Sequence, residues 1–316
     1  MRGSSGVSLW RMLSRTPLPD AVTRLIRDQC GVVMIAQLLD GGLTRQVCRR
    51  LTASWARIAP GLYIDGSVSF ESAAWAGVLR AGPGGVVGAD AAAYLNGVLR
   101  DPPAEVIVWS PSTPRPFAVE GWRVTFRRGR RVGRGSPPRL SVEACLVDLA
   151  RDHDEVGVVD AVARALAQRR TTPERLLAAV SDRERVRHAR TIKDLCAAAG
   201  AGIESGLEWL FQRNVVAWHR LPVPRRQAST QEGGVDGFYD EWGVIVELDG
   251  MRDHCDWSKD MLRDNAHAVR MDAVTLRYGW NAVTRQPCEV AGQVADALAL
   301  RGWKGRVRRC RRCRPR

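Results

Sequence analysis

Apolar positions recur at helical spacing early in the chain and alternate with polar ones late in it. Val22, Leu25 and Ile26 fall at i, i+3 and i+4, behind Pro19 and Asp20, with Asp20 suited to an N-cap and Gly31 to a stop after Cys30. A second helix is expected over Val33–Leu39, a turn at Asp40-Gly41-Gly42, and a third helix over Arg45–Thr52 capped by Thr44. Leu43, Val47 and Leu51 repeat at i, i+4, i+8 and face inward, which leaves Arg45, Gln46, Arg49 and Arg50 outward. Short strands are expected at Trp55–Ile58 and Gly61–Ile64 around Ala59-Pro60. Three short helices and a hairpin describe a winged helix-turn-helix. Its third helix would enter the major groove, where Arg and Gln pair with base edges, and Arg57 on the hairpin would lie near phosphate. The plainer alternative is a three-helix module that binds protein.

Helical stretches at Ala73–Arg80 and Asp90–Leu99 then precede strands at Glu105–Trp109 and Trp122–Arg127, with helices at Val142–Arg151, Val156–Gln168 and Pro173–Val180. No catalytic cluster stands out here, and the run Asp152, His153, Asp154, Glu155 reads as a solvated loop. The last part differs. Leu207, Leu210, Phe211 and Val215 keep helical spacing, and Val235–Tyr239 and Gly243–Leu248 are expected to form a hairpin through Asp240-Glu241-Trp242. On the second strand Val244, Val246 and Leu248 share one face. Glu247 and Asp249 share the other, about 6.6 Å apart along the strand, and Asp236 lies on the neighbouring strand.

Each acid has a plain structural reading. Ser205 and Glu208 fit a capping box, Asp249-Gly250 a turn, and Asp236 a strand start. Glu247 is the exception, because it sits inside the apolar run Val244–Leu248, where an unpaired charge is costly. Taken together, Glu208 from a helix and Asp236, Glu247 and Asp249 from paired strands can converge. Converging carboxylates repel unless a cation offsets them, and hard oxygen ligands suit Mg²⁺ or Mn²⁺. Such a metal polarises a phosphodiester and activates water.

Composition narrows the partner. A chain of 316 residues, 45% hydrophobic and 26% charged, fits two or three folded domains. No run approaches the ~18 apolar residues of a membrane span. Arg2, Arg11 and Arg15 precede no apolar stretch of a signal peptide, so a cytoplasmic protein with reduced thiols and no membrane partner is expected. The net charge of +14 is concentrated: Arg301–Arg316 carries +9 and Gly121–Arg139 carries +7 without one acid, leaving the rest near neutral. Two Arg blocks on a near-neutral body point to a polyanion, most simply DNA.

Two family resemblances follow. The stretch IAQLLDGGLTRQVCRRLTASWARIAPGLYI resembles the N-terminal domain of AbiEi-type antitoxins of abortive-infection systems, and GADAAAYLNGVL and LSVEACLVDLAR resemble their second domain. This implies a phage-defence or toxin–antitoxin setting, with a cognate toxin as a partner beside DNA. SGLEWLF, VDGFYDEWGVIVELDG, His254, DMLRDN and VTLRYGWNAV resemble the endonuclease domain related to the very-short-patch-repair (Vsr) nucleases of the PD-(D/E)XK superfamily. That likeness implies an α-β-β-β-α-β core and metal-dependent DNA cutting. Glu208 would be the helical acid, Asp236 the first strand acid, and Glu247 and Asp249 the following pair. Asp260, Arg263 and Asn265 would lie on the next helix, and Arg277 near the end of the third strand. The superfamily's usual Lys is replaced by Asp249, so His254 is the candidate base and Arg263 the candidate cation for phosphoryl charge and DNA.

Cys310-x₂-Cys313 is half a zinc knuckle, and His254, Cys255 and Cys288 show no diagnostic spacing to complete it. Zinc is therefore not expected, and the pair reads as redox-prone thiols or part of a plain basic tail. The expected architecture is a multidomain α/β chain. Residues 1–19 form a disordered lead, 20–66 a winged helix, and 67–199 an α+β middle domain. Residues 200–303 form a PD-(D/E)XK mixed sheet flanked by helices, and 304–316 a basic tail. The expected function is metal-dependent DNA endonuclease activity. The alternative is a non-catalytic regulator or antitoxin with a vestigial nuclease fold.

Overall fold

A computed structural model of the chain describes residues 18–200, 205–230, 233–249 and 257–313. His254, Cys255, the side chain of Asp260 and residues 1–17 of the expected lead lie outside them. The fold is mixed α/β with three sheets among the described residues, and none of its described helices is long and apolar enough to cross a membrane. The chain divides into two units, Met1–Cys145 and Leu146–Arg316.

The first unit opens with α1 (Asp20–Asp28), β1 (Val32–Met34), α2 (Ile35–Asp40), α3 (Arg45–Thr52), β2 (Ala56–Ala59) and β3 (Leu62–Ile64), whose strands pair antiparallel in the order β1-β3-β2. Val22, Val33, Leu38 and Cys48 form the core, with Leu25, Ile26, Leu43, Leu51 and Trp55 packed around it. Several expectations shift. Pro19, not Asp20, holds the cap position of α1. The expected second helix begins only at Ile35, because Val32 and Val33 pair with Ile64 and Tyr63. The branched Val-Val pair suits a strand. Gly31 launches it at φ +83°, where a Cβ would lie 2.3 Å from the Asp65 carbonyl oxygen. In α3 the buried positions are Cys48 and Thr52, while Val47 is half-buried. The hairpin strands each start one residue later than expected, and a bulge interrupts their pairing between Arg57 and Ala59.

The same unit continues through α4 (Phe70–Ala81), β4 (Val86–Val87), α5 (Ala89–Leu95), β5 (Glu105–Ser110), β6 (Phe117–Val119) and β7 (Trp122–Arg128). The sheet order is β4-β5-β7-β6, with β5 and β7 parallel. A β-carbon at Gly77 would lie 2.7 Å from Val108 and 2.9 Å from Val124, so glycine sets how closely α4 approaches the sheet. Part of the Arg block is used internally: Arg131 stacks 3.9 Å over Trp109, and Arg139 Nε donates to Asn96 Oδ1 at 2.9 Å. Arg123, Arg128, Arg130 and Arg134 are exposed.

The chain passes to the second unit within α6 (Val142–Leu149) and continues through α7 (Glu155–Ala167), α8 (Pro173–Ser181) and α9 (Ala189–Gly200). Asp154 caps α7 by accepting from the Gly157 amide at 2.9 Å. Glu155 is not the solvated end of a charged loop that the sequence suggests. It pairs with Arg213 at 2.8 and 2.9 Å and accepts from Thr191 Oγ1 at 2.6 Å. The Arg213 guanidinium holds its carboxyl below the usual range.

Next comes α10 (Gly206–Leu210), which runs into a π-helical stretch, Phe211–Ala217. Then follow β8 (Arg225–Thr230), β9 (Gly233–Tyr239), β10 (Val244–Asp249), α11 (Trp257–Met271), β11 (Val274–Gly279), α12 (Trp280–Arg285) and α13 (Pro287–Leu300). The sheet order is β11-β10-β9-β8, antiparallel except for the parallel pair β10 and β11. Ala228, Val235, Phe238, Ile245 and Ala273 form one core cluster with Met271 of α11. Tyr278, opposite Leu248 in the register, stacks on Phe211 at 6.4 Å. The Arg-rich end is not a free tail throughout, since the Arg308 amide donates to the His219 carbonyl at 2.9 Å.

Gly77→Val should destabilise the protein by about 1–3 kcal/mol through overpacking against Val108 and Val124. Denaturant unfolding checks this, and an unchanged midpoint would mean that α4 is free to move off the sheet.

Candidate functional site

The site is built where β9 and β10 part. The two strands pair through Val244 and Tyr239, Ile245 and Phe238, and Val246 and Gly237. One residue further, Asp236 Oδ2 accepts a hydrogen bond from the Leu248 amide at 2.7 Å. A side-chain carboxylate thus satisfies a main-chain donor at the point where the ladder gives way. Glu247 adjoins that contact on β10. It is 6% exposed, and Arg263 Nη2 of α11 lies 3.5 Å from its Oε1. Burial, and then the charge of Asp236, push its carboxyl up to about 7, although Arg263 and Arg277 pull the other way.

Asp249 follows a different course. Both its oxygens lie 3.2 Å from Arg277 Nη1. The same guanidinium binds Asp264 of α11 through Nε at 2.7 Å and Nη2 at 3.2 Å. Arg277 stands opposite Glu247 in the parallel register, so it joins β10, β11 and α11 in one charge cluster. Asp249 is therefore committed to a cation, whereas Asp236 and Glu247 face each other. Glu208 is buried on α10, whose N-cap Ser205 accepts from the Glu208 amide at 3.1 Å. Glu208, Asp236, Leu248 and Trp280 line one cleft of about 370 Å³. Two of the four expected acids, Glu208 and Asp236, therefore share one opening, Glu247 couples to Asp236 from β10, and Asp249 is drawn to Arg277.

The DNA-facing candidates lie in the other unit. Arg45, Gln46, Arg49 and Arg50 on α3 and Arg57 on β2 are all exposed, and Thr44 caps α3 by accepting from the Val47 amide at 3.3 Å. Arg263, expected to face phosphate, contacts Glu247 instead.

Sequence reasoning misses two buried histidines. His267 Nε2 lies 3.1 Å from Thr230 Oγ1, linking α11 to the edge strand β8. His219 gathers with Cys288, Cys310 and Cys313, their ligand atoms all within 4.8 Å of one another. His219 and Cys313 are 94 residues apart, so no local spacing announces the group. No disulfide joins the described cysteines. No protein-family model and no curated protein sequence matches the chain.

Folded Glu247 keeps its proton up to about pH 7, while an unfolded glutamate releases it near 4.5. Between those values the native state binds more protons, so stability falls as pH rises from about 4.5 to about 7. In protein freed of Mg²⁺ and Mn²⁺, Glu247→Gln should add on the order of 2 kcal/mol at pH 8 and little at pH 4. Melting curves at the two pH values check this, and an equal effect at both would mean the carboxyl is not held neutral.

Proposed function

We propose that the chain is a DNA-binding protein whose C-terminal part hydrolyses phosphodiester bonds with a divalent metal. The supporting observation is buried Glu247 coupled to Asp236 at the parting of β9 and β10, with Asp236 also lining a cleft that Glu208 shares. The order α10-β8-β9-β10-α11-β11 agrees with the α-β-β-β-α-β core of the Vsr-like resemblance. The order α1-β1-α2-α3-β2-β3, with sheet β1-β3-β2, suits a winged helix-turn-helix of the AbiEi-like kind.

The donor set fits a hard cation. Two carboxylates crowd each other, one is pushed toward its neutral form, and a divalent ion would reverse that. Asp236 and Glu247 would hold Mg²⁺ or Mn²⁺, with Glu208 beside them. Bound there, the metal would polarise the phosphodiester and make water acidic enough to attack. Asp249 leaves the ligand set and serves to hold Arg277. Arg277 and Arg263 bring positive charge beside Asp249 and Glu247, where the superfamily uses its Lys, and Arg263 would offset phosphoryl charge from its place beside Glu247. Basic α3 would supply sequence reading, and the exposed arginines of the first unit would supply phosphate contacts.

A regulator without cleavage is the second reading. It is favoured by the Asp249–Arg277 pair at the Lys position.

Supercoiled plasmid with Mg²⁺, Mn²⁺ or EDTA separates the two. Cleavage is expected with metal and none in EDTA. Glu247→Ala should lower it at least about 100-fold with DNA binding intact. Glu208→Gln, which keeps the side-chain shape but ligates poorly, should give a smaller loss. No cleavage by the wild type with either metal would leave the regulator reading. For α3, Arg45→Ala with Arg49→Ala should weaken binding to a specific site by about 1–3 kcal/mol for each base-reading side chain removed. Mobility shifts that are unaltered by the double change would remove α3 from the DNA interface.

A further inference from the structure

His219, Cys288, Cys310 and Cys313 come from three separate stretches of the second unit: the end of the helical segment after Ala217, the first turn of α13, and the short turn Arg311–Cys313 with the residue before it. A tetrahedral zinc ion with bonds of ~2.3 Å to sulfur and ~2.0–2.1 Å to nitrogen has edges of roughly 3.8 Å between sulfurs and roughly 3.6 Å between sulfur and nitrogen. The corresponding distances here are 3.5 Å between Cys288 and Cys310 Sγ, 3.7 Å between Cys310 and Cys313 Sγ, and 3.5 Å from Cys313 Sγ to His219 Nε2. Three edges near tetrahedral length, with all four soft or borderline donors within 4.8 Å of one another, suit the ligand set of a closed structural zinc site.

The histidine is prepared for that role. It is fully buried, and its Nδ1 lies 2.9 Å from the Val215 carbonyl. A carbonyl can only accept, so Nδ1 carries the proton and the Nε2 lone pair points toward Cys313. Charge agrees as well. Three thiolates and one Zn²⁺ leave one negative charge, and Arg308, Arg309 and Arg311 flank the cysteines. The segment from Lys304 to Cys313 is poor in apolar side chains and has no strand of its own, so burial contributes little to holding it.

We propose that His219, Cys288, Cys310 and Cys313 bind one structural zinc ion that pins the basic C-terminal segment to the second unit. This departs from the expectation from sequence, in which zinc is not expected, and it stands apart from the proposed cleavage chemistry.

Full-length protein purified without chelator should contain one zinc per chain by elemental analysis. Replacing zinc with Co²⁺ should give the intense visible bands of tetrahedral cobalt and thiolate-to-cobalt charge transfer. Cys310→Ser with Cys313→Ser should lose the metal. Where that variant fails to fold, the cobalt spectrum of the wild type still decides. Trypsin should cut at Arg306, Arg308 and Arg309 slowly in the zinc form and at least 10-fold faster once zinc is removed. Absence of zinc, an octahedral cobalt spectrum, or a disulfide among Cys288, Cys310 and Cys313 in the freshly purified protein would overturn the proposal.

Discussion

Glu247 carries a carboxyl group into an apolar run of a strand flanked on both sides, where water cannot solvate a charge. The neighbouring groups follow from that requirement. Arg263 approaches from α11, Arg277 from β11, and Asp236 from β9 opposes them both. The two guanidinium groups do not balance the acids, because Arg277 is shared between Asp249 and Asp264. The remaining imbalance appears as a carboxyl pushed up to about 7. A divalent cation is the simplest group that removes it, and that need underlies the proposed chemistry.

Sheet topology makes this meeting possible. Antiparallel pairing brings the middle of β9 alongside the end of β10, so Asp236 reaches the Leu248 amide. Parallel pairing sets Arg277 opposite Glu247, and the intervening α11 supplies Arg263 and Asp264 at adjacent positions. Acids and bases are thereby gathered from the successive elements β9, β10, α11 and β11.

The apolar run Val244–Leu248 makes β10 and its hairpin legible in the sequence, and Glu247 stands out because it breaks that run. Helices with strong caps and apolar stripes, such as α7 and α8, are legible for the same local reasons. The misses have physical causes. β8 is a polar edge strand, Arg225–Thr230, with only Ala228 buried, so it carries no alternation to read. β1 reads as helix because three residues are too few to show a period. Asp249 looks equivalent to Glu247 on the shared face. Its commitment to Arg277 depends on a parallel register that spacing cannot give. His219 is invisible as a ligand, because its partners come from the far end of the chain.

The central claim is that Asp236 and Glu247 form a site for a hard divalent cation. Mn²⁺ binding, followed by electron paramagnetic resonance on zinc-replete protein, tests it most directly. One Mn²⁺ per chain should bind, displaced by Mg²⁺, and Glu247→Gln should weaken it by at least about 10-fold. Binding that is absent in the wild type, or unchanged in Glu247→Gln, would contradict the claim.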